Sequence, residues 1–172
     1  MSANEIARLI SLAADGDNEA FKNLYAKTAR GVYAFLRTYF NNHHDTEDAM
    51  QTVYLKIKQN ADKFKKGTNG RAWILQIAKN HALDVLRKER YHRPLEEAKT
   101  VSVSDTYSDG TVNAAMQKVL SEEERRIVTL HVLWGYKHRE IGVIMDMPTG
   151  AVTSKYKRSV EKLKNALKEV RE

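Results

Sequence analysis

The stretch SEEERRIVTLHVLWGYKHREIGVIMDMPTGAVTSKYKR, residues 121–158, decides the fold class. Ser121 followed by Glu124 is a capping-box pattern, in which a hydroxyl and a carboxylate satisfy backbone N–H groups reciprocally at a helix start. Ile127, Leu130, His131 and Trp134 then share one helical face, and Gly135 can end the helix. A short helix around Arg139 to Met145 follows, then a turn at Asp146, Met147 and Pro148, then a helix entered through Thr149. Gly142 permits close helix packing, Asp146 tolerates a left-handed turn conformation, and Val152 locks the second helix onto the first. That spacing is a helix-turn-helix, which lays its second helix in the DNA major groove with its first turns near base edges. Here those turns offer Thr149, Thr153, Ser154, Lys155, Lys157 and Arg158. The alternative is an ordinary helical hairpin with a solvated basic face.

Upstream of this module the hydrophobic period fails from Pro94 to about Asn113, where Ser, Thr, Asp and Gly accumulate. A compact domain rarely holds so long a structureless loop, so the segment reads as an interdomain linker. Before it, the period is helical again. Ile6, Leu9, Ile10 and Ala13 predict a first helix, and Phe21, Leu24, Tyr25, Val32, Phe35, Leu36 and Tyr39 continue as core positions. Asn41 to His44 read as a loop, with Asp45 or Thr46 capping a helix whose apolar face is Ala49, Met50, Val53, Tyr54 and Ile57. Glu47 and Asp48 suit that helix's positive end. After a polar loop, Lys65 to Gly70, a long helix is predicted from about Arg71 to Arg90, with Trp73, Ile74, Ile77, Ala78, Val85 and Leu86 inward. The expectation is an all-α chain of two small helical domains, 1–95 and 114–172, joined by a flexible linker at 96–113, the C-terminal domain being the helix-turn-helix.

Composition narrows the function. A net charge of +7 over 172 residues favours polyanionic partners. The absence of Cys excludes disulfides, thiolate metal sites and cysteine nucleophiles, and suits a reducing cytoplasm. No basic start with an apolar run and no 18-residue apolar stretch occurs, so neither export nor membrane insertion is expected. Six His residues show no metal-ligand spacing, and no nucleophile constellation or phosphate-cradling loop appears, so neither a cofactor nor an enzyme activity is expected. Lys63, Lys65, Lys66, Arg71, Lys79, Arg87, Lys88, Arg90 and Arg93 face only Asp84 and Glu89 as local acids, with Phe64 and Trp73 flanking the polar loop. Basic side chains interleaved with aromatic and amide groups suit single-stranded nucleic acid, although Phe64 and Trp73 also fit a core. A dimeric helix-turn-helix regulator is the rival reading, but no heptad or large apolar stripe offers a dimer interface.

Two blocks carry a resemblance along nearly the whole chain. One runs Asp45-Thr46-Glu47-Asp48-Ala49-Met50-Gln51-Thr52-Val53-Tyr54, then Phe64-Lys65-Lys66-Gly67, Arg71 to Asn80, and Asp84 to Lys88. The other runs Leu120 to Arg125, through Glu140-Ile141, to Met147-Pro148-Thr149-Gly150-Ala151-Val152-Thr153-Ser154-Lys155. In this order across a linker, they resemble the extracytoplasmic-function sigma factors of bacterial RNA polymerase. The resemblance implies that Glu47, Asp48, Gln51, Thr52 and Tyr54 dock on core RNA polymerase. It implies that Lys65, Lys66, Thr68, Asn69, Asn80, Arg87 and Lys88 open and read the −10 promoter element as melted DNA. It gives the Thr149 to Arg158 helix the duplex −35 element, and makes an anti-sigma factor a candidate partner. The family often has an acidic residue at Thr52, an aromatic one at Gly70 and a basic one at Gln76.

Overall fold

The computed structural model describes residues 3–92 and 110–169. Among these, every regular element is helical: α1 (Ala3–Ala14), α2 (Asn18–Leu36), α3 (His43–Gln59), a 3-10 turn (Ala61–Lys63), α4 (Gly70–His92), α5 (Gly110–Val119), α6 (Glu122–Val132), α7 (His138–Met145) and α8 (Thr149–Glu169). The chain divides into two compact units, Met1–Ser104 and Asp105–Glu172. The expected linker lies outside the described residues up to residue 109. From Gly110 onward the chain is already in α5, so helix begins inside the stretch assigned to the linker.

In the first unit, α1 and α4 both pack on α2, and α3 lies against α2 and α4. The predicted α1 face supplies Ile6 and Ile10, both fully buried, against Leu24, Val32, Phe35 and Leu36 of α2. Asp17 caps α2 by accepting the Ala20 N–H at 3.0 Å, which fixes where this second helix starts. Two expectations for α3 are corrected. His43 and His44 are helical, and the cap is Asn42, whose Oδ1 accepts the Asp45 N–H at 2.8 Å. Thr46 instead faces inward, fully buried, its hydroxyl donating to the Asn42 carbonyl at 2.6 Å.

The core face of α4 is also rotated from the expected one. Ile74 and Ala78 are buried as predicted, but Leu75 and Ala82 complete the set, whereas Trp73, Ile77, Val85 and Leu86 are only half-buried. Gly70 opens this helix where α1 meets it. A Cβ there would lie 2.8 Å from the Ala7 backbone nitrogen and 3.0 Å from the Ile10 side chain, so the bare glycine lets α1 sit directly on the first turn of α4. An aromatic residue at this position, frequent in the family the sequence resembles, would not fit with α1 in place. Tyr25 departs from the expected core as well, being 42% exposed on the outer side of α2.

In the second unit α5, α6 and α7 all pack on α8. Ala115, Leu120, Ile127, Leu130, Trp134, Ile141 and Val152 form its core. The capping box is present in full: Ser121 Oγ accepts the Glu124 N–H at 3.3 Å, and Glu124 Oε2 accepts the Ser121 N–H at 2.9 Å.

Candidate nucleic-acid and polymerase surfaces

The helix-turn-helix geometry is set by the turn after α7. Asp146 adopts the left-handed conformation (φ 57°) and closes α7, and the Met147 N–H donates to the Gly142 carbonyl at 2.8 Å. A Cβ on Gly142 would stand 2.6 Å from the Met147 carbonyl oxygen. Gly142 therefore makes room for the turn, a tighter demand than the helix packing expected of it. Met147 and Pro148 deliver the chain into α8, which Val152, fully buried, holds against α6 and α7.

Along α8, Thr149, Gly150, Ser154, Lys157 and Arg158 are exposed and Thr153 is half-buried. At about 3.6 residues per turn these positions cover roughly half the helix circumference as one continuous arc. Lys155 lies off it. Its ammonium is 2.7 Å from the Glu123 carboxylate of α6, so a phosphate would have to compete with an existing ion pair. Lys162 is likewise engaged, by both Glu124 oxygens at 2.9 Å. Although burial opposes the charge, Lys162 and the Ser121 amide hold the Glu124 carboxyl below the usual carboxylate range.

In the first unit Lys65, Lys66, Thr68 and Asn69 are all exposed on one loop. The Thr68 hydroxyl donates to the Lys65 carbonyl at 2.7 Å and shapes this loop into a turn. Asn69 acts locally, capping α4 with an Oδ1 that accepts the N–H groups of Arg71 and Ala72 at 3.1 and 3.2 Å. Phe64 is buried edge-on against the half-buried Trp73, centroids 5.4 Å apart, which supports the core reading of this pair over the stacking one. Beyond the loop, Gln76, Asn80, Leu83 and Arg87 form an exposed row on α4. Gln76 Nε2 donates to Asn80 Oδ1 at 2.8 Å, and Arg87 pairs with Asp84 at 2.8 Å. Lys88 is exposed beside the row. Leu83, 47% exposed, was absent from the sequence-derived set, although its place three residues after Asn80 puts it on the same face.

The α3 surface separates the remaining residues. Asp48 and Gln51 are exposed, and Leu55, 56% exposed, extends their row. Leu55 was also missed; it lies two residues from both Val53 and Ile57, about 200° around the helix from the buried face. Glu47 and Asp48 are paired with His43 at 3.0 Å and His44 at 3.5 Å, each one helical turn earlier. The Thr52 hydroxyl donates to the Asp48 carbonyl at 3.0 Å. Tyr54 does not belong on this surface. It is 5% exposed, its hydroxyl 2.7 Å from that of the buried Thr28 and its ring 4.6 Å from Tyr25, and burial pushes its phenol well above the usual tyrosine range.

No helix among the described residues is long and apolar enough to cross a membrane. Residues 24–91 match the family model for sigma-70 region 2, and residues 114–163 match that for sigma-70 region 4. RNA polymerase sigma factor CarQ of Myxococcus xanthus is 29% identical over 163 residues, spanning 91% of this chain and 94% of its own. ECF RNA polymerase sigma factor SigW of Bacillus subtilis strain 168 is 25% identical, spanning 96% and 98%. Among solved structures, the sigma factor RpoE of Bartonella quintana, in complex with the anti-sigma factor NepR, shares the fold with a TM-score of 0.66 at 22% identity, over 86% of this chain and 96% of that one. CnrH, in complex with the cytosolic domain of CnrY, shares it with a TM-score of 0.64 at 20% identity, over 96% and 98%.

Proposed function

From the premise that the chain belongs to the sigma-70 family, as an extracytoplasmic-function RNA polymerase sigma factor that directs promoter-specific transcription initiation, we propose a division of that work among its residues. Residues 1–95 dock on core polymerase and read the melted −10 element, and residues 114–172 read the duplex −35 element. Docking falls to the α3 row of Asp48, Gln51 and Leu55, flanked by Glu47 and Thr52, with Tyr54 acting from the core to fix the helix. Lys65, Lys66 and Thr68 neutralise and guide the melted strand, while Asn80, Arg87 and Lys88 meet it along α4. Asn69 and Asn80 are 11 positions apart, about 16 Å along a helix, so they serve different nucleotides. The chain catalyses nothing itself; it acts in the cytoplasm, where polymerase is. An anti-sigma protein is a partner by analogy with NepR on its own sigma factor.

The observation that carries this reading is the α8 arc, where Thr149, Thr153, Ser154, Lys157 and Arg158 are presented together by the helix-turn-helix. Base-edge contacts discriminate by about 1–3 kcal/mol each, whereas phosphate contacts change affinity for all sequences alike. Selection from a promoter library with reconstituted holoenzyme, read by sequencing transcript starts, separates the two. Arg158→Ala or Lys157→Ala is expected to relax preference at particular −35 bases, and Lys164→Ala to change none. Uniform loss across all sequences would make the arc a phosphate anchor and move −35 specificity elsewhere.

A further inference from the structure

His131, His138 and Tyr156 form an aromatic cluster where α6, α7 and α8 meet. The ring centroids of His131 and His138 are 4.8 Å apart, and each lies close to Tyr156, at 4.6 and 5.0 Å. The hydrogen-bond partners fix where the imidazole protons sit. His131 Nδ1 is 2.8 Å from the Tyr136 carbonyl, which can only accept, so Nδ1 carries the proton. The Thr153 hydroxyl donates to the Thr149 carbonyl at 3.0 Å, leaving its oxygen to accept from His138 Nδ1, also at 3.0 Å. His138 is thus the Nδ1–H tautomer, and its Nε2 is buried with no hydrogen-bond partner among the described residues. Burial, then the neighbouring His131 ring and Lys157 ammonium, hold the His138 ring below the usual histidine range.

Nothing in the division of labour above uses this cluster, yet it ends on the recognition helix. A helical Thr divides itself between two rotamers because its hydroxyl can bond back to the preceding turn. The His138 Nδ1–H selects one of them. With its proton given to Thr149 and an oxygen lone pair given to His138, the Thr153 hydroxyl is engaged within the protein. The γ-methyl and the second oxygen lone pair are then what remains for a base edge, the methyl being suited to the C5-methyl of thymine.

We propose that His138 is a positioning residue for −35 recognition: from outside the recognition helix, its Nδ1–H locks Thr153 in the single rotamer that meets the DNA. The proposal rests on α8 being the −35 helix. His138→Phe keeps a ring against Tyr156 and removes both the donor and the unpartnered Nε2, whereas His138→Asn keeps an N–H donor near the Nδ1 position without the ring. Thr153→Ser removes the methyl and tests the base contact independently. In holoenzyme selections on a promoter library, His138→Phe and Thr153→Ser are expected to relax preference at the same −35 position by at least about threefold, part of what one base contact supplies. His138→Asn is expected to preserve it, and side-chain nitrogen NMR of the full chain should find the neutral Nδ1–H form of His138. Unaltered preference in a folded His138→Phe, with Thr153→Ser relaxed, overturns the proposal: Thr153 then reads without help. Unaltered preference in Thr153→Ser removes Thr153 from base reading, a failure of the underlying assignment. Should His138→Phe not fold, lost preference in a folded His138→Asn overturns the proposal by itself.

Discussion

Asn69 stands between the exposed basic loop and α4, and its carboxamide can serve either. The two bonds it accepts from Arg71 and Ala72 make it the cap of the helix that carries Asn80. Loss of such a cap costs about 1 kcal/mol. Asn69→Ala should therefore lower the stability of the first unit by about that amount and reduce promoter opening, and Asn69→Ser, which restores a capping oxygen, should recover both. The Asn80 amide accepts from Gln76 on an exposed face, so Asn80→Ala should leave stability within about 0.5 kcal/mol and still reduce opening. Urea unfolding and footprinting of melted DNA measure the two quantities. Recovery of stability without recovery of opening in Asn69→Ser would show that the amide itself reads a base. The cap was legible in principle, since Asn before a helical period is a strong cap residue, but the surrounding lysines drew the reading toward a ligand. Tyr54 was doubly assigned for a similar reason: its period placed it in the core while the resemblance placed it among the docking residues, and its bond to Thr28 sides with the period.

At the scale of the helix, α6 is tied to α8 by a few strong local contacts. Glu124 closes the capping box and receives Lys162 from the far part of α8, and Glu123 receives Lys155 from its beginning. The folded-state Glu124 carboxyl titrates below its ordinary value, so its contribution is present in full above the unfolded-state value near 4.5. It is lost as pH falls through the lower folded value. Hydrogen exchange on α6 and α8 amides should thus show protection falling on acidification below about pH 4.5, and Glu124→Gln should flatten that dependence while destabilising the unit at neutral pH. An equally steep pH profile in Glu124→Gln would assign the loss to other carboxylates. The helix-turn-helix was readable because each of its joints, the capping box, Asp146 and Pro148, is a local rule. The start of α3 was not, because Asn42 and Asp45 satisfy the same rule three residues apart. Helix α5 was missed because Gly110, Thr111 and Asn113 are weak helix formers. Ala115 and Leu120 gain their burial from packing in the second unit, information that lies elsewhere in the chain.

For the whole molecule, the two proposed recognitions are carried on one chain. The sequence showed the division through the failure of its hydrophobic period, whereas the extent of each unit depended on packing: α1 on Gly70 in one, α5 on α8 in the other. If the first unit reads the −10 element and the second the −35 element, covalent connection makes the second binding event intramolecular. Linkage of this kind raises avidity by about 10²–10⁴ over separate modules. A protease site placed within residues 96–104 allows the same preparation to be assayed with core polymerase before and after cleavage. Each fragment is expected to keep its helical signal, because each unit has its own apolar core. The concentration of factor needed for half-maximal initiation at a promoter bearing both elements should rise by about two to four orders of magnitude. At a promoter whose −35 element has been scrambled, intact and cleaved factor should perform alike, since only one recognition remains to be linked. Equal activity of cut and uncut factor at the complete promoter would mean that one unit supplies nearly all of the recognition, or that polymerase alone holds the two in place.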